Sequence, residues 1–170
     1  MTRNTSDEIA GSLVPIYGEF KAVIYRADGT VEDKPWKRNQ LTAAGLNRIA
    51  NRAVNASSPW FIIGVGTITA AASLDSVNFG EVANGRKTST VTGASAQSRE
   101  WFFMNATYAG NADSLTSIAL DSAAILCHAS SGQGAVCNIV NGLGVTLQAS
   151  DFLNLTARIR VGSHDLSHST

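Results

Sequence analysis

The sequence predicts a mainly β protein, an antiparallel β-sandwich or jelly roll with one early α-helix and an extended N-terminal arm. Three observations carry this. From Leu153 to Val161, apolar Leu153, Leu155, Ala157, Ile159 and Val161 alternate with Asn154, Thr156, Arg158 and Arg160, the period of two of a half-buried strand. Roughly seven to nine short runs rich in β-branched and aromatic residues are separated by Gly, Asn and Asp turn signals about every 8 to 12 residues. A helical period occurs once, near the start, whereas an α/β fold needs helices between its strands.

Residues 1–19 hold no regular period but carry Ile9, Leu13, Val14, Ile16 and Tyr17 around Gly11, Pro15 and Gly18. Such an apolar-spotted segment reads as an arm docked on a neighbour, with an irregular strand covering the domain's own core as the alternative. Residues 20–162 read as one β domain. Phe20 to Val31 is a hairpin turning at Asp28-Gly29, and residues 32–39 are a charged connection containing Pro35 and Trp36. The helix spans 42–55, capped by Thr42, with Leu46, Ile49, Ala50 and Ala53 forming one apolar stripe and Asn55 the stop.

Trp60 to Ile63 is too short for a buried helix and reads as a central strand covered on both faces, breaking at Gly64-Val65-Gly66-Thr67. Val77 to Val82 is a strand ended by a turn at Asn84-Gly85, and Thr88 to Thr92 is a further short strand. Arg99 to Tyr108 is apolar on both faces and therefore central. Strands follow within Ser114 to Leu126 and from Ala135 to Val140, with Asn141-Gly142 as another turn before the strand from Leu153. Residues 163–170 form a polar tail.

At 170 residues the chain fits one domain. Thirteen basic and thirteen acidic residues cancel, so charge favours neither nucleic acid nor an anionic membrane. Charged residues make up only 15% of the chain, which suits either a surface covered by other protein or a polar, uncharged β surface. No apolar run reaches a membrane span and the N-terminus lacks a signal-peptide layout, so synthesis in a cytoplasm is expected. Cys127 and Cys137, on either side of a Gly132/Gly134 turn, read as buried thiols, with a disulfide or a shared metal as the alternative.

The sequence offers no catalytic constellation. The histidines are His128, His164 and His168, the last two in the tail, and no nucleophile elbow or phosphate loop is present. Asp75, Glu81, Glu100, Asp113, Asp121 and Asp151 lie in or beside turns, where carboxylates ordinarily cap backbone groups. The expectation is therefore no enzyme, no cofactor and no metal. Trp60 and Trp101 read as core, Trp36 as the exposed aromatic, and Arg158 and Arg160 as facing solvent or a partner's carboxylates.

Asn39-Gln-Leu-Thr-Ala-Ala-Gly-Leu46, then Ile62-Ile-Gly-Val-Gly-Thr67 with Ala70 to Asp75, and Asp151-Phe-Leu-Asn-Leu-Thr-Ala-Arg-Ile159 at the end, resemble the segments of a family of tailed-bacteriophage virion proteins. The likeness covers about residues 20–162, and Ser117-Ile-Ala-Leu-Asp121 stands where that family usually has Gly-Leu-Phe-Asn. It implies a jelly-roll-like structural subunit located in the virion. The leading expectation is a capsid decoration or cement protein that binds the major capsid protein and copies of itself, with no nucleic acid or membrane as partner. The alternatives are a tail, collar or baseplate component touching tail proteins, and a receptor- or glycan-binding β-sandwich stacking on Trp36. The expected interface comprises Ile9, Leu13, Val14, Ile16, Tyr17, Trp36, Arg158 and Arg160.

Overall fold

A computed structural model describes residues 16–47, 62–69, 78–92, 101–126 and 136–161. These residues form ten strands: β1 (Ile16–Tyr25), β2 (Val31–Asp33), β3 (Lys37–Leu41), β4 (Ile62–Gly66), β5 (Glu81–Thr88), β6 (Thr90–Thr92), β7 (Trp101–Ala109), β8 (Ala119–Leu126), β9 (Val136–Thr146) and β10 (Phe152–Val161). They lie in one antiparallel sheet ordered β5-β4-β8-β9-β3-β1-β10-β7-β6, with β2 beside β1. Pairing is nested: β1 with β10, β3 with β9, β4 with β8 and β6 with β7. Only Ser89 separates β5 from β6, so the chain itself joins the two ends of the path and the sheet rolls into a nearly closed barrel.

The predicted mainly β, antiparallel fold is what forms. Phe20, Ile24, Met104, Tyr108, Leu153 and Leu155 from one half pack on Ile63, Val65, Leu120, Ile125 and Val140 from the other. A second cluster, Ile62, Phe79, Ala124, Leu126 and Ile139, covers the other face of β4 and β8. β4 is therefore buried at every position, as its apolar run predicted.

Its glycines act differently from the expectation. The strand does not break at Gly64 but continues to Gly66. A Cβ on Gly64 would meet Phe79 Cζ and Leu126 Cδ1, each at 2.8 Å, and one on Gly66 would meet the Phe79 carbonyl oxygen at 2.1 Å. The glycines admit the 79–80 backbone against the sheet. Two expected turns are likewise bulges inside strands. Asn84, at φ 58°, lies within β5, where the register against β4 shifts between Gly64 and Gly66. Asn141-Gly142 lies within β9, where Gly142 and Gly144 have φ 76° and 58° and donate their N–H groups to the Asp121 carboxylate at 3.2 and 3.1 Å.

Three further boundaries move. Ile16 to Glu19 belong to β1, because β10 offers a partner for every residue out to Ile16↔Val161, so no arm extends as far as Glu19. The stretch read as a charged connection contains β2 and β3, and β3 leaves β1 to pair with β9, carrying the sheet round its corner. β7 pairs with β10 along its length but with β6 over only three residues, and Thr107 on its outward face is exposed, so it is less central than expected.

The predicted hairpin turn is present: Gly29 adopts φ 87° and the Asp28 carboxylate accepts the Thr30 N–H at 2.8 Å. The helix begins where predicted, Thr42 Oγ1 accepting the Gly45 N–H at 3.1 Å, and is described through residue 47. Leu46 is 42% exposed, however, because Thr42 and Gly45 face inward in this first turn, so the apolar stripe does not start at Leu46. Residues 48–55, Trp60, Cys127, the three histidines and the tail lie outside the described residues.

Candidate interaction surface

Alternation in β1 and β10 turns Gly18, Phe20, Ala22 and Ile24 with Leu153, Leu155, Ala157 and Ile159 into the core. Tyr17, Glu19, Lys21, Val23 and Tyr25 are thereby placed on the outer face, beside Phe152, Asn154, Thr156 and Arg158. The register sets Glu19 opposite both Arg158 and Arg38. Arg158 donates to the Glu19 carboxylate from Nε at 2.8 Å, and its Nη2 lies 2.6 Å from Oε2. The Arg158 guanidinium carbon also lies 3.7 Å from the Trp36 ring centroid, and that of Arg38 lies 5.1 Å from the Tyr17 centroid. Cation–π attraction and a charge-assisted ion pair thus hold five side chains at one end of the face.

Of the expected interface residues, Tyr17, Trp36 and Arg158 come together here. Ile16 and Arg160 lie at the same end through their strand pairing, Ile16↔Val161 and Tyr17↔Arg160. Ile9, Leu13 and Val14 lie outside the described residues. One expectation is corrected: the carboxylate that meets Arg158 is Glu19 of its own chain, because β1 and β10 are neighbours. Glu19 and Arg38 were missed. The two-residue spacing of Tyr17, Glu19 and Lys21 could have flagged Glu19, but nothing local placed Arg38 in a strand.

The opposite end of the same face is apolar. Tyr25 pairs with Val31 on one side and Phe152 on the other, and the three are 45%, 53% and 50% exposed. Exposed apolar side chains are ordinary singly, but three adjacent across three strands form a patch.

Round the β1–β2 turn lies an open cleft of about 380 Å³, lined in part by Arg26, Asp28, Glu32, Gln148 and Asp151. Arg26 donates to Glu32 Oε1 from Nη2 at 2.5 Å, to Asp151 Oδ2 at 2.7 Å and to the Thr146 carbonyl at 2.8 Å. The buried Asp151 carboxylate also accepts the Gln148 and Ala27 N–H groups. Those bonds, that from Gln148 foremost and then Arg26, hold Asp151 below the usual carboxylate range. Arg26 lowers Glu32 likewise, while Asp151 and then Glu32 raise Arg26. Asp28 is lowered by the Thr30 N–H. The groups are committed to one another and tie the β1–β2 turn to the β9–β10 turn, which gives them a structural role.

Asp113 does the same elsewhere. It accepts the Ala109 N–H at 2.7 Å and pairs with Lys87 of β5. Asp113 and Asp151 are thus the turn-capping carboxylates that their positions predicted, whereas Asp121 lies inside β8, where it holds the β9 bulge, and Glu81 opens β5 and pairs with Arg86. Among the described residues no group of three or more His, Cys, Asp or Glu is placed to hold a metal ion, and no helix is long and apolar enough to cross a membrane. Compared with protein-family models, with curated proteins and with solved structures, the chain matches none.

Proposed function

We propose that this chain is a structural subunit of a tailed-bacteriophage virion, a decoration or cement protein that binds across capsid subunits. The observation that carries the reading is the preassembled cluster Trp36–Arg158–Glu19 with Tyr17–Arg38, at the barrel end where residues 1–15 and 162–170 join β1 and β10. Aromatic and arginine side chains held in fixed rotamers are the groups that dominate protein interfaces, since little conformational freedom is lost on binding. Ile9, Leu13 and Val14 precede this end in the sequence and supply apolar anchors for the same partner. The motif likeness to virion proteins and the nearly closed barrel, whose structural carboxylates are internally bonded, support the same reading. A protein that binds only the assembled shell stabilises it by mass action.

The test mixes purified protein with undecorated heads and, separately, with tails, and images both by cryo-electron microscopy. Stoichiometric density over capsomers, lost on deleting residues 1–15, is the expected result. Density on tails alone moves the site to a tail, collar or baseplate, and density on neither removes the virion reading. A glycan-binding role is less favoured, because one face of the Trp36 ring is already covered by Arg158.

A further inference from the structure

We propose that Asn84 is a site of spontaneous main-chain modification, losing ammonia through a cyclic imide with Gly85 and reopening as isoaspartate or aspartate, while Asn141, in the same Asn-Gly dipeptide, is held unreactive by the fold. The Gly85 nitrogen attacks Asn84 Cγ, its proton passing to a base in solvent; the Cγ–Nδ2 bond breaks and ammonia leaves. Water then adds to either imide carbonyl and opens the ring. Each conversion consumes one water and releases one ammonia, with no oxidant or reductant. A following glycine favours the step, because no Cβ hinders the attacking nitrogen and the backbone rotates freely there.

The two Asn-Gly dipeptides, Asn84-Gly85 and Asn141-Gly142, stand in different surroundings. Among the described residues β5 ends the sheet path and pairs with β4 alone. Its register runs from Gly66↔Glu81 straight to Gly64↔Arg86, so Val82 to Gly85 have no partner in it. Asn84 is exposed there at φ 58°, a conformation disfavoured for a residue with a Cβ. Water and base reach its amide, and turning its peptide bond towards the side chain breaks no pair of that register. Asn141 differs in each respect. It pairs with Ser122 of β8, and its Oδ1 is buried. The Gly142 N–H, on the nitrogen that would attack, is donated to Asp121 Oδ2 at 3.2 Å, and the Gly144 N–H fixes the other oxygen of that carboxylate at 3.1 Å. Attack at Asn141 therefore requires β8 and β9 to part first, and well-paired central strands open far less often than edges. Conversion at Asn84 adds a negative charge between Glu81 and Arg86, which form an ion pair, and isoaspartate also inserts a methylene into the main chain of β5. The inference concerns the chain alone and does not depend on the virion reading.

Incubation of the full chain in mildly alkaline buffer tests it, read by isoelectric focusing, by peptide mass spectrometry and by enzymatic methylation of isoaspartate. The folded chain should accumulate more acidic forms, with the mass change of amide to acid mapped to the peptide that holds Asn84. The rate there should exceed that at Asn141 by about tenfold or more. In concentrated urea, with the fold removed, the two sites should react at similar rates. Asn84→Gly, which keeps positive φ accessible, should abolish the acidic forms that appear first, with circular dichroism to verify its folding. No conversion at Asn84, equal or faster reaction at Asn141 in the folded chain, or an undiminished preference for Asn84 in urea overturns the proposal.

Discussion

The Tyr108 hydroxyl donates to the Ile63 carbonyl oxygen at 2.8 Å, linking β7 of one half of the barrel to β4 of the other. Both residues are fully buried. With Ser89 joining β5 to β6 and the Lys87–Asp113 ion pair, this bond holds the two ends of the sheet path together.

Tyr108→Phe removes that bond and leaves the Ile63 oxygen without it, at a cost of about 1–2 kcal/mol in chemical denaturation. Burial also raises the phenol far above its ordinary value. A raised acid is stabilised in its neutral folded form, so this contribution is full below about pH 10, the unfolded value, and declines as pH rises beyond it. Wild-type stability should therefore fall more steeply than that of Tyr108→Phe above that pH.

Asp151 shows the opposite sign. Its folded value is lowered by the Gln148 N–H and Arg26, so its contribution is present above the unfolded value of about 3.9 and is lost as pH falls through the folded one. Asp151→Asn should be less stable than wild type at pH 6 and should converge towards it as the solution is acidified. Denaturation midpoints from pH 6 to 2 measure this, and parallel curves would show that the carboxylate charge is not what Arg26 recognises.

Gly66→Ala should destabilise more than Gly64→Ala. A Cβ added at Gly66 would meet main-chain oxygen at 2.1 Å, whereas the nearest atoms to one at Gly64 are the ends of Phe79 and Leu126, which can shift. Overpacking of this kind costs about 3 kcal/mol at the backbone contact and about 1–2 kcal/mol at the yielding one. Thermal melts of the two variants give the order directly.

Trp36→Ala and Arg158→Ala remove the two halves of one contact on a partly exposed face, so each should change stability by no more than about 1 kcal/mol. Under the proposed function both should weaken co-sedimentation with undecorated heads by tenfold or more. Unchanged binding in both variants would place the contact elsewhere on the protein.

For β10 and β4, which residues are buried was legible in the sequence. Leu153, Leu155, Ala157 and Ile159 are buried in the order that their alternation predicts, and the continuous apolar run at Ile62-Ile63 is covered on both sides. Asp28-Gly29, the Thr42 cap and the caps that Asp113 and Asp151 place on the Ala109 and Gln148 N–H groups were legible as well. In each case the cause is local: side-chain direction repeats every two residues, and a cap or turn acts on backbone a few positions away.

The role of each glycine was settled only by the tertiary structure. Asn84-Gly85 and Asn141-Gly142 carry the same signal as Asp28-Gly29, yet β4 and β8 continue alongside them and make bulges of them. Gly64 and Gly66 are needed for the approach of Phe79, a neighbour the local sequence does not reveal. The interaction surface is non-local in the same way: Arg158 meets Glu19 because β10 returns beside β1, and it meets Trp36 at the entry to β3, which lies on the other side of β1. Local chemistry fixes a strand's period and its caps, but a cross-strand contact exists only once sheet order and register are set, and those depend on the whole barrel closing round one core.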